Sequence, residues 1–133
     1  MSSLPAPVTP DLVPTIAPPA PRRSAVVAAL PGATTRPPVS AIVTTCNVAD
    51  ALPDCLASLS WCDEILVVDS FSSDGTVAVA RRHERVRVLQ RRYYGGASQK
   101  NWAIDRVRHD WVLILDADER VTPELRHEIE RAI

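Results

Sequence analysis

Two acidic groupings stand out among the residues able to do chemistry. Asp116-Ala117-Asp118-Glu119 follows an apolar run at residues 111–115, and Asp69 closes a second at 65–68. In an extended segment, residues i and i+2 project to the same side, so Asp116 and Asp118 can address one ligand. Ala117 between them adds no bulk. Like charges at this spacing repel unless a cation or a donor sits between them. Carboxylate oxygens suit Mg2+ or Mn2+, especially where phosphates complete the shell. The competing account is a solvated turn whose acidic residues favour the start of a following helix. Asp74 fits a capping role ahead of a helix opening at Gly75-Thr76. Asp69 does not, because Ser70 to Ser73 intervene. A carboxylate at a buried strand end needs a partner, which makes Asp69 the better ligand candidate.

The elements that must position these groups alternate along the chain. Ala41-Ile42-Val43-Thr44-Thr45 is a β-branched run, read as a buried strand. Leu52, Leu56 and Leu59 follow at helical spacing, and Pro53 fits only the first turn of a helix starting near Asp50 or Ala51. Further strands are expected at residues 64–69, 86–89 and 111–115. Helices are expected from Asp74-Gly75-Thr76 to about His83, and over residues 97–107 with Trp102, Ile104 and Val107 buried. A last helix opens with Thr122 as cap and Pro123 at its first position, with Leu125, Ile129 and Ala132 on one face. The order β-α-β-α-β-α-β-α with continuous apolar strands predicts an α/β fold. It is a Rossmann-like, mostly parallel sheet with helices on both faces. Ligands of such sheets bind beyond the carboxyl ends of the strands. The segments to watch are therefore Thr44 to Asn47, Asp69 to Asp74, Tyr93 to Lys100 and Asp116 to Glu119.

Composition narrows the rest. The 133 residues carry 15 Lys+Arg against 16 Asp+Glu, a net charge of −1 that argues against a nucleic-acid binder. No apolar run reaches the ~18–20 residues of a membrane-spanning helix. Ten of the 12 prolines fall in the first 38 residues, so residues 1–38 read as a disordered tail and residues 39–133 as the foldable part. Arg22-Arg23 before the apolar stretch 25–30 matches a targeting segment poorly and reads as linker. Cys46, Cys55 and Cys62 match no zinc spacing, and an odd count without a secretory signal points to reduced thiols in the cytoplasm. Cys55 and Cys62 read as core, as do Trp61, Trp102 and Trp111. His83, His109 and His127 sit near element ends and carry no catalytic assignment. Arg91-Arg92-Tyr93-Tyr94 reads as a loop over the ligand site or a membrane-facing patch. A phosphatase or phospho-receiver would need an Asp nucleophile after the first strand, where Thr44-Thr45-Cys46 stands.

Four motifs occur in order along the chain: Ile42-Val43-Thr44-Thr45-Cys46-Asn47, Val67-Val68-Asp69-Ser70-Phe71-Ser72-Ser73-Asp74-Gly75-Thr76, Gly96-Ala97-Ser98-Gln99-Lys100-Asn101-Trp102-Ala103 and Leu115-Asp116-Ala117-Asp118-Glu119. Together they resemble family 2 glycosyltransferases, and within them the lipopolysaccharide-core glucosyltransferase subgroup. The resemblance implies the first half of a GT-A fold and an inverting, metal-assisted transfer from a nucleotide-sugar donor. Thr44, Cys46 and Asn47 would border the nucleoside, Asp69 would bond the base, and Lys100 would lie near the base or diphosphate. Asp116 would face the ribose and, with Asp118, hold Mg2+ or Mn2+. The chain departs from the family's common pattern at Cys46, often aromatic or Lys, and at Val48, often acidic. The implied acceptor is a glycan or lipid-linked saccharide, with peripheral association at the inner face of the membrane. A general base is expected beyond residue 133, which reads as a truncation; within the chain Glu119 is the nearest candidate and is expected at a turn instead. The alternative is a non-catalytic nucleotide-binding or interaction module.

Overall fold

The computed structural model describes residues 36–133. Residues 1–35 of the expected tail, with Arg22-Arg23 and the stretch 25–30, lie outside the described residues. The elements are β1 (Val39–Thr45), α1 (Leu52–Ser58), β2 (Glu64–Asp69), α2 (Thr76–Arg81), β3 (Val86–Gln90), α3 (Gly96–Ile104), β4 (Trp111–Asp116) and α4 (Pro123–Ala132). The four strands form one sheet in the order β3-β2-β1-β4, with every pairing parallel.

Both sheet faces are covered, which is why the central strands are apolar without alternation. Ala41 and Val43 of β1 and Ile65 and Val67 of β2 pack against Leu52, Cys55 and Leu56 of α1 and Ala80 of α2. Ile42, Leu66 and Val68 point the other way, onto Ala103 of α3 and Val107. Ile129 of α4 joins the first layer. The α/β reading of the sequence therefore holds, helices on both faces included.

Several local expectations need correction. Ile104 is 38% exposed and Trp111 47% exposed. The buried face of α3 runs through Gln99 and Ala103, so position 104 falls off it. Trp111 opens the edge strand β4, where it pairs with Val39 of β1 on one side and has no strand on the other. In α4 no residue is fully buried: Leu125 and Ala132 face solvent and Ile129 is half-buried. The Thr122 cap does form, its Oγ1 accepting the Leu125 N–H at 3.1 Å. At α2 the cap position is Gly75 rather than Asp74. Asp74 instead accepts the Thr76 N–H at 2.9 Å and the Ala49 N–H at 3.2 Å, tying the start of α2 to the loop after β1.

Candidate functional site

Parallel register brings the acidic strand ends together. Thr44 pairs with Asp116 and Thr45 with Asp69, so the end of β1 lies between the two carboxylates. A cleft of about 420 Å³ opens there, bordered by Thr44, Cys46, Ser70, Tyr93, Asp116 and Asp118. Asp116 Oδ1 accepts from Thr44 Oγ1 at 3.3 Å and pairs with Lys100 Nζ at 3.4 Å. The Asp116 N–H donates to Glu119 Oε1 at 2.9 Å, which closes the turn expected at Glu119. That turn also brings Glu119 back to the two aspartates. Carboxylate oxygens of Asp116, Asp118 and Glu119 all lie within 4.8 Å of one another, and all three residues are exposed. Asp118 has no hydrogen-bond or ion-pair partner among the described residues. Three hard oxygen donors at this spacing, one of them uncommitted, fit Mg2+ or Mn2+.

Asp69 and Asn47 are brought to the same end of the sheet, but both side chains are taken up by the loop after β2, Asp69 buried and Asn47 exposed. Asp69 is fully buried. Its Oδ1 accepts from Thr45 Oγ1 at 2.7 Å and Ser72 Oγ at 2.5 Å, and its Oδ2 from the Ser72 N–H at 2.9 Å and Gln90 Nε2 at 3.3 Å. Burial alone would raise its carboxyl. The bonds from Ser72, Thr45 and Gln90 outweigh that, holding it below the ordinary carboxylate range. Asn47 adopts φ +51, a left-handed conformation that Asn tolerates. Its Oδ1 accepts the N–H groups of Ser73 at 2.8 Å and Asp74 at 3.3 Å. Both residues thus shape the loop after β2, in which Phe71 is forced to φ +53.

The segment after β3 supplies the other wall. Gln99, almost fully buried, accepts from Arg91 Nη1 at 3.1 Å through Oε1 and donates from Nε2 to Ser70 Oγ at 3.2 Å. Gln99 lines the cleft, although the sequence assigns it no role of its own within the segment Tyr93 to Lys100. Its place four residues before Ala103, on the buried face of α3, is the signal that marks it. Glu119 is placed by the sequence in the acidic segment after β4 and at a turn, without a place in the metal group. Its reach back to Asp116 depends on a turn conformation that residue spacing does not encode.

Of the cysteines, Cys46 is exposed at the cleft and Cys55 and Cys62 are buried, as expected. Burial pushes the Cys55 thiol up to about 11, with Glu119 and Asp118 acting in the same direction. Burial pushes Cys62 to about 12. The three histidines lie away from the cleft lining.

The sequence profile of glycosyl transferase family 2 matches residues 40–132. Lipopolysaccharide core biosynthesis glycosyltransferase LpsC of Rhizobium meliloti (strain 1021) is 36% identical over 93 residues, covering 67% of this chain and 34% of that protein. An uncharacterized glycosyltransferase of Rickettsia felis is 38% identical over 93 residues, covering 69% of this chain and 32% of its own length. The chain thus spans about a third of the length of these relatives. Among solved structures, glucosyl-3-phosphoglycerate synthase from Mycobacterium tuberculosis, in complex with Mn2+, UDP and glucosyl-3-phosphoglycerate, superposes with a TM-score of 0.52. The identity is 20%, with 69% of this chain and 41% of that one covered, a likeness of fold.

Proposed function

This chain belongs to glycosyl transferase family 2, and from that we propose that it forms the donor-binding half of a sugar transferase of GT-A type. The donor is a nucleoside-diphosphate sugar, a UDP-sugar by preference, and the acceptor a glycan or lipopolysaccharide-core saccharide. The transfer inverts the anomeric centre. The observation that carries this reading is the carboxylate group Asp116, Asp118 and Glu119 at the mouth of a cleft framed by parallel strand ends. A lipid-linked acceptor would bring the protein to the cytoplasmic face of a membrane. Among the described residues no helix is long and apolar enough to cross one.

Asp118 and Asp116 would hold the Mg2+ or Mn2+, which offsets the negative charge that develops on a departing diphosphate. Thr44 orients Asp116 through its hydroxyl, and Lys100 adds a point charge on the diphosphate side. Cys46 and Thr44 border the nucleoside. Asp69, from beneath, and Asn47, at the surface, fix the loop after β2 rather than offering free oxygens to the ligand. Glu119 joins the metal side, so no described residue is assigned as the base that deprotonates the acceptor.

Calorimetric titration of the 133-residue chain with UDP, with and without Mn2+, tests the reading. Binding that strengthens with Mn2+ is expected, and Asp118→Ala should abolish the strengthening. The reading fails if folded protein shows no metal-enhanced nucleotide binding. The metal assignment fails if Asp118→Ala binds Mn2+ and UDP like wild type.

A further inference from the structure

Resting on the donor-site reading, we propose that Tyr93 is the stacking surface for the nucleobase of the donor. Among the described residues that line the cleft it is the only aromatic side chain. It is 62% exposed, an amphipathic ring open to a partner at the cleft. The neighbouring Tyr94 shows the contrast. Its ring is engaged by the guanidinium groups of Arg91 at 5.3 Å and Arg92 at 5.9 Å. Tyr93 has no such partner among the described residues, and its ring borders the cleft.

The segment that carries Tyr93 is held at both ends. The Arg91 N–H donates to the Asp69 carbonyl at 2.9 Å, continuing the sheet past β3. The Arg91 guanidinium bonds Gln99 and Ser98 and lies over the Trp102 ring at 5.4 Å. On the far side Gly95 takes φ +117, and its carbonyl accepts the Gln99 N–H at 3.0 Å. The Tyr93 hydroxyl lies 3.7 Å from where a Cβ on Gly96 would stand, so the phenol end rests along the start of α3. A ring presented on a fixed support loses little freedom when a ligand stacks on it.

Its position suits a base rather than a diphosphate. The carboxylates stand at the end of β4, and Ser70 follows β2 on the other side of β1. Two strand intervals of about 4.8 Å separate those ends by roughly 10 Å. The charged end of a nucleoside diphosphate then lies at β4 and its base toward Ser70, Gln99 and Tyr93. Cys46, on the β1 side, has no flat face to offer. Every base has a π-face, so Tyr93 supplies affinity, while Gln99 holds Ser70 in place beside it and the Ser70 hydroxyl keeps its proton to donate to a base edge.

The test compares UDP with inorganic pyrophosphate, a base-free probe, each titrated with Mn2+ into the 133-residue chain. Tyr93→Ala should weaken UDP binding by about 10-fold or more, and Tyr93→Phe by no more than about twofold. Pyrophosphate binding should be unchanged in both variants. The proposal is overturned if Tyr93→Ala binds UDP like wild type, if Tyr93→Phe loses as much as Tyr93→Ala, or if pyrophosphate binding falls in step with UDP. Wild-type protein that binds neither probe overturns the donor-site reading itself, a result visible before any substitution is made.

Discussion

Asp69 and Asp118 carry the same carboxylate at or just past parallel strands, yet one faces the protein and the other the solvent. Both were legible in the sequence as groups at a strand end. Which way each turns was not, because it depends on Ser72 folding back three residues to fill the oxygens of Asp69. No comparable donor reaches Asp118. The cysteines divide in the same way, and here apolar neighbours in sequence did reveal the outcome. Cys55 and Cys62 are buried with thiols pushed up to about 11 and about 12, while Cys46 is exposed at the cleft. Since the thiolate is the reactive form, native protein at neutral pH should react with a thiol reagent rapidly at one cysteine. Unfolding in guanidinium should release the other two. Bound UDP with Mn2+ should slow the native reaction, which mass spectrometry would assign to Cys46.

Among the elements, the strands were the most legible. β2 occupies the residues expected, because a strand covered on both faces reads as one apolar run. Helix ends were harder. α3 stops at Ile104, and Asp105 caps it, so Val107 reaches the core from beyond the helix rather than from its face. α4 began where Thr122-Pro123 said it would, yet its apolar positions stay partly in solvent. A helix with so little buried surface leans on its ends. Thr122→Ala should therefore cost about 1 kcal/mol and Thr122→Ser much less, as read from urea unfolding midpoints. At the opposite end of the sheet, Glu64 is buried and satisfied by Ser40 Oγ at 2.7 Å, the Arg108 N–H at 2.8 Å and Arg87 at 2.9 Å. It ties β1, β2, β3 and the turn before β4 into one layer. The sequence showed Glu64 only as the first residue of a strand, because its partners lie far along the chain.

For the molecule as a whole, several structural carboxylates titrate in the same direction. Burial opposes ionisation of Asp63, Glu64 and Asp69, but hydrogen bonds prevail in all three, joined by the Arg36 guanidinium at Asp63 and the Arg87 guanidinium at Glu64, and each is held below its ordinary value. A group with a depressed folded value stabilises the fold above its unfolded value and loses that contribution as pH falls through the folded one. Stability from these groups should hold from neutrality to about pH 5 and decline below about pH 4. Urea midpoints measured across that range, with Asp69→Asn showing a shallower decline, would check it. The α/β architecture was readable from the order of elements, whereas the strand order β3-β2-β1-β4 was not. That order has a kinetic side. Thr44 and Asp116 touch across 72 residues of chain, so β1 must wait for β4 while β2 and β3 form beside it. Closing so long a loop is entropically slow, and contacts of this kind are among the late events of folding. The acidic turn therefore reaches Thr44 and the cleft only when the last strand docks. Metal-enhanced nucleotide binding should appear in refolding experiments with the slowest phase, after most of the secondary structure is already in place.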